Sequence, residues 1–132
     1  MSQTSAAENR EMALDALYRL RVGTAMPPDD TISDLRSYLE YCCLYLYSIG
    51  SSEEEIAAIR RKWYKGAATR MLNILRAGND HYFGPHLATL RQYLADGGLT
   101  LADISASEST ISRLRRRNRR SLRKEKRLLK SL

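Results

Sequence analysis

Two cysteines stand side by side at Cys42 and Cys43, and two histidines lie at His81 and His86, with Asp80 just before them. Thiolates and imidazoles are the ligands of zinc and the nucleophile–base partners of covalent catalysis, so these residues are the first candidates for chemistry. Their spacing argues against both roles. Adjacent helical residues point about 100° apart, so Cys42 and Cys43 do not converge on one ion. No C-x-x-C or H-x-x-x-H spacing recruits a histidine, and no glycine-rich phosphate loop or paired-carboxylate pattern is present. The expectation is a non-enzyme with no catalytic residue, no metal and no cofactor. The cysteines then read as small apolar residues of a protein kept in a reducing compartment.

Charge is a stronger signal. The chain has 132 residues and a net charge of +7. From Arg113 to Leu132 there are eleven Lys or Arg and one Glu, whereas the first 112 residues hold eleven bases and fourteen acids. A mildly acidic body therefore carries a strongly basic tail, which points to a polyanion, nucleic acid before a membrane surface. Arg113, Arg115, Arg116, Arg117, Arg119, Arg120, Arg123, Lys124, Lys126 and Arg127 are the candidate nucleic-acid-binding residues. Such residues neutralise phosphates and release counterions without reading sequence. Free in solution, like-charge repulsion predicts a largely unfolded tail. The run also suits a nuclear localisation signal, and Ser109, Thr110, Ser112 and Ser121 beside it would lower its charge if phosphorylated.

The elements that must carry this tail read as helices throughout. Glu8 to Val22 has an apolar face of Met12, Ala13, Ala16, Leu17 and Leu20, stopped by Gly23. A second helix is predicted from about Thr31 to Ile49, because Ile32, Leu35, Leu39, Cys42, Leu46 and Ile49 recur at alternating spacings of three and four. After Gly50, Ser52 and Glu55 form a capping box for a third helix reaching about Ala77. Pro85 to Ala95 is a shorter helix, and Leu99 to Ser112 reads as a linker or a short helix. No internal repeat stands out. No run of 18 apolar residues is present, so no membrane span is expected, and no signal peptide is read at the start.

A short loop between two long helices forces an antiparallel hairpin. Tyr38, Tyr41, Leu44, Tyr45 and Tyr47 lie outside the main apolar stripe, so the hairpin has more apolar surface than its own packing uses. A second copy covers it most simply, in a four-helix bundle across a two-fold axis. The fold expected is all-α: a long antiparallel helical hairpin pairing into an intermolecular four-helix bundle, with short flanking helices and a basic C-terminal tail. Residues 1–104 form the helical assembly domain and 105–132 the linker and tail.

The order of elements resembles a known family. "REMALDALYRL", "TISDLRSYLEYCCLYLYSIG", "YFG" and "QYLADGG" are similar, in order and kind, to segments of the core proteins of hepatitis B-like viruses, above all their non-enveloped fish relatives, the nackednaviruses. The resemblance implies a capsid protein. Its dimer interface would use Leu39, Cys42, Tyr45, Leu46, Ile49, Ile59, Trp63 and Met71. Its inter-dimer contacts would use Phe83, His86, Leu90, Tyr93 and Leu94. Dimers would close into an icosahedral shell, with the tail packaging RNA or DNA inside. The implied location is the virion and the host cytoplasm or nucleus.

A rival reading lies at the same place. "LADISASESTISRLRRR" looks like a helix-turn-helix with Ser107 to Leu114 as recognition helix, which would make the protein a small dimeric DNA-binding regulator. A nucleoid or RNA-binding protein that does not assemble is the third possibility.

Overall fold

The computed structural model describes residues 5–24 and 26–132, and every element among them is helical. The order is α1 (Ala6–Val22), α2 (Pro28–Tyr41), a 3-10 turn (Leu46–Ile49), α3 (Glu53–Ala77), α4 (Phe83–Asp96), a second 3-10 turn (Leu101–Ile104) and α5 (Glu108–Ser131). The chain divides into two compact units between Trp63 and Tyr64, a boundary that falls inside α3. No described helix is long and apolar enough to cross a membrane.

In the first unit the Ser5 hydroxyl accepts the Glu8 N–H and starts α1, and Gly23 ends it at φ 79°, a left-handed conformation that favours glycine. Pro28 occupies the first turn of α2, where its missing N–H costs nothing. The core joins Ala13, Ala16, Leu17 and Leu20 of α1 to Ile32, Leu35 and Leu39 of α2, with Leu46, Ile49 and Ile56 beyond. The Ser52 hydroxyl accepts the Glu55 N–H at the head of α3.

The predicted helix through Ile49 is not continuous. It ends at Tyr41; Cys43 turns left-handed at φ 55°, Tyr45 is extended, and Leu46–Ile49 form a separate 3-10 turn. Leu44 then donates its N–H to the Leu39 carbonyl and folds the chain back. The 19-residue arm of the expected hairpin is therefore absent. The apolar spacing survives because the turn keeps Leu46 and Ile49 facing the same core.

The structure also reveals an internal repeat, where none was expected. Shifting the chain by 55 residues lays Pro28–Tyr41 on Phe83–Asp96, Leu46–Ile49 on Leu101–Ile104, and the start of α3 at Glu53 on the start of α5 at Glu108. α1 falls on the second part of α3 in the same way. Six of the seven left-handed residues match too: Gly23 with Gly78, Cys43 with Gly98, and Gly50 with Ser105, while Asn79 has no left-handed counterpart among the described residues. So does the hydrogen bond that reverses the chain, Leu44 to Leu39 in one copy and Leu99 to Leu94 in the other. Each copy is a helix, a second helix, a 3-10 turn and a third helix. α3 is the last helix of the first copy and, in its second part, the first helix of the second.

Candidate nucleic-acid interface

α5 carries the basic residues, and it is an ordered helix of 24 residues where an unfolded tail was expected. Three features start and hold it. The Ser107 hydroxyl accepts the Thr110 N–H at 3.2 Å, while Ser107 N–H reaches the Thr110 hydroxyl at 3.1 Å. Ile111 and Leu114 are buried. Asn118, also buried, accepts the Asp80 N–H at 2.6 Å and donates to the Asp80 carbonyl at 3.0 Å, clamping the turn before α4 to the middle of α5. Arg, Lys, Leu and Glu are good helix formers, so the helix propagates once anchored.

The ten predicted binding residues are all on this helix, but they are not equivalent. Arg115 stands over the Phe83 ring at 6.0 Å. Arg117 donates to the Arg76 carbonyl and caps the end of α3. Arg116, Arg119, Arg120 and Arg123 line one shallow surface depression. Together with Arg113, Lys124, Lys126 and Arg127 they are exposed. Lys130 is exposed as well and belongs with them. Glu125 is the acid within this run, and His81 lies 3.5 Å from it.

The helix-turn-helix string resolves into parts of the repeat. Its expected first helix is the single 3-10 turn Leu101–Ile104, and its expected recognition helix is the opening of α5. The same corner in the first copy leads into Glu53, Glu54 and Glu55, and in the second into Glu108, so both third helices open on acid.

The predicted dimer residues are mostly occupied within the chain. Leu39, Leu46 and Ile49 are in the first unit's core, Ile59 packs against it, and Cys42, Trp63 and Met71 are half-buried. Tyr45 is exposed and stacks on Tyr47 with ring centroids 5.3 Å apart. The predicted inter-dimer residues Phe83, Leu90 and Leu94 are buried, and Tyr93 packs against Tyr64 at 6.2 Å. His86 is held by Asp80 at 2.7 Å. Cys42 and Cys43 are free thiols, and among the described residues no group of histidines, cysteines and acids is arranged to hold a metal. No family model, curated protein or solved structure matches the chain.

Proposed function

We propose that the protein binds nucleic acid without sequence preference, through α5. The observation that carries this is an anchored helix presenting exposed Arg and Lys from Arg113 onward, with Glu125 the one acid among them. Phosphate contacts supply affinity and register, while base reading needs side chains set into a groove in a fixed pattern. A straight basic helix does the first. The major groove of a duplex is wide enough to admit it, and the phosphates on either side are within reach of long side chains. No catalysis is part of this reading.

Fluorescence anisotropy with duplexes of unrelated sequence tests it. Affinity should be equal across sequences and fall linearly on a log–log plot against salt, with a slope of roughly −0.9 per neutralised phosphate. Binding that ignores salt, or that singles out one sequence, would overturn it.

A shell-forming capsid protein is the second reading. Tyr41, Tyr45 and Tyr47 favour it: they are 75%, 66% and 75% exposed and offer an aromatic face for copies to meet. The positions 55 residues on are Asp96, Thr100 and Ala102, so the fold of the repeat does not need tyrosine there. The intermolecular four-helix bundle belongs to this reading, and α5 would be its packaging segment. Sedimentation over a range of salt separates the two: particles of many subunits support a shell, and a small species that still binds nucleic acid supports the first reading alone.

A further inference from the structure

The repeat assigns a specific face of α5. In α1 the buried residues are Asn9, Ala13, Ala16, Leu17 and Leu20, the last four packed in one core with α2. Moving by 55 gives Tyr64, Ala68, Met71, Leu72 and Leu75 on α3, where all are buried except half-buried Met71. Moving by 55 again gives Arg119, Arg123, Lys126, Arg127 and Lys130 on α5, and all five are exposed. The stripe that twice seats the next helix is, on its third occurrence, basic at every position.

Two physical consequences follow. A further hairpin of the same kind cannot sit there, because seating it would take five cations out of water at several kcal/mol each. The stripe also holds like charges one turn apart, at Arg119–Arg123, Arg123–Arg127 and Lys126–Lys130. Each such pair opposes the helix by roughly 0.2–0.5 kcal/mol. A polyanion along the stripe removes that repulsion. At 3.6 residues per turn the five heads lie within an arc of about 100° and a rise of about 17 Å.

We infer that Arg119, Arg123, Lys126, Arg127 and Lys130 form the contact face for the phosphate backbone of a nucleic acid, on the surface that the repeat otherwise uses to dock its own next helix. This rests on the reading of α5 given above and narrows it. Of the remaining bases, Arg115 covers Phe83, Arg117 caps α3, Arg113 and Lys124 point elsewhere around the helix, Arg120 lies just beyond the edge of the stripe, and Arg116 continues its arc one turn before Arg119. The helix is already formed before binding, so the heads meet phosphates without a coil-to-helix transition.

The test compares two variants that each remove three charges, using a short fluorescein-labelled duplex of mixed sequence. One is Arg119→Gln/Arg123→Gln/Arg127→Gln, on the stripe. The other is Arg113→Gln/Arg120→Gln/Lys124→Gln, beside it. The stripe variant should flatten the log–log salt slope by about 2.7, roughly 0.9 for each lost contact, and the other by less than about 1. A charge-keeping variant, Arg119→Lys/Arg123→Lys/Arg127→Lys, should retain the slope, and circular dichroism should show the same helix content in all three. Equal loss from both Gln variants would overturn the face while leaving α5 as the binding helix. No salt-dependent binding by the unaltered chain would overturn both. Binding to phosphatidylserine vesicles but not to the duplex would overturn the choice of nucleic acid.

Discussion

Arg36 holds the Glu53 carboxylate through both terminal nitrogens, at 2.8 and 2.9 Å, and ties α2 to the head of α3. Arg91 holds Glu108 in the same way at 2.7 and 2.9 Å, tying α4 to the head of α5. Each carboxylate is held below its ordinary pKa, first by the hydrogen bond from its arginine. The pairs are exposed, so each contributes little energy, and each bridges the second helix of its copy to the head of the third. Replacing Arg91 by Glu should lower the melting temperature, and Arg91→Glu/Glu108→Arg should recover most of the loss. A double variant no better than the single one would mean that Arg91 acts through packing instead of charge.

The two copies also share their deepest leucines. Leu35 and Leu90 occupy the same place in α2 and α4, and both are fully buried. Truncating either to Ala should cost about 2–5 kcal/mol, the usual range for a buried leucine. Urea denaturation of Leu35→Ala and Leu90→Ala measures it. Similar losses are expected, since the surrounding elements are the same.

Asn118 stands where the first copy has Trp63, and it makes two hydrogen bonds to the Asp80 backbone. Asn118→Ala leaves a part-buried N–H and C=O without those partners, which should cost about 1–3 kcal/mol. Hydrogen exchange at the Asp80 amide should accelerate by more than exchange at the centre of α4. Uniform acceleration would mean that Asn118 supports the whole unit and not this turn.

Much of this architecture could be read from the chain. The all-helical class followed from periodicity, and α1, α3 and α4 begin and end close to where caps and glycines put them. The end of α2 was hidden because the break is written Cys42–Cys43, which reads as helix interior, while the second copy writes the same break as Gly97–Gly98. The repeat itself was legible: Leu35, Arg36, Tyr38 and Leu39 recur as Leu90, Arg91, Tyr93 and Leu94. It was obscured because the flanking surfaces differ so strongly, tyrosines and acids in one copy, small polar residues and arginines in the other. The tail's charge was visible at once. Which of its faces is offered follows from matching positions of α5 to those of α1 and α3 at the 55-residue shift, and the turns that fix this shift are visible only in the folded chain.

Asp80 gives the fold a pH dependence. Burial alone would raise its carboxyl. The hydrogen bond with His86 at 2.7 Å, the Tyr82 N–H at 2.9 Å and the charges of His86 and His81 outweigh it, so the pKa lies below the ordinary value. A carboxyl depressed by folding adds stability above its unfolded pKa of about 3.9, and loses it as pH falls through the folded value. The urea midpoint should therefore drop as pH falls below about 4, and Asp80→Asn should show a shallower acid limb. Identical limbs would assign the acid sensitivity to Glu53, Glu55 and Glu108, whose pKa values their arginines also lower.

Gly97 is required by a close approach and not by its backbone angles, which are right-handed at φ −85° and ψ −2°. A Cβ built there would lie 2.6 Å from the Tyr64 Cβ and 3.0 Å from Leu99 Cδ1. The first copy has Cys42 at the same place, so the close approach is particular to the second copy. Gly97→Ala should destabilise by about 1–3 kcal/mol, the cost of overpacking a fitted contact. Because the clash is with the Tyr64 Cβ and not its ring, Tyr64→Ala should not rescue it, and the two losses should add. Rescue by Tyr64→Ala would place the conflict on the aromatic ring and show that α3 and α4 have room to close over a methyl group.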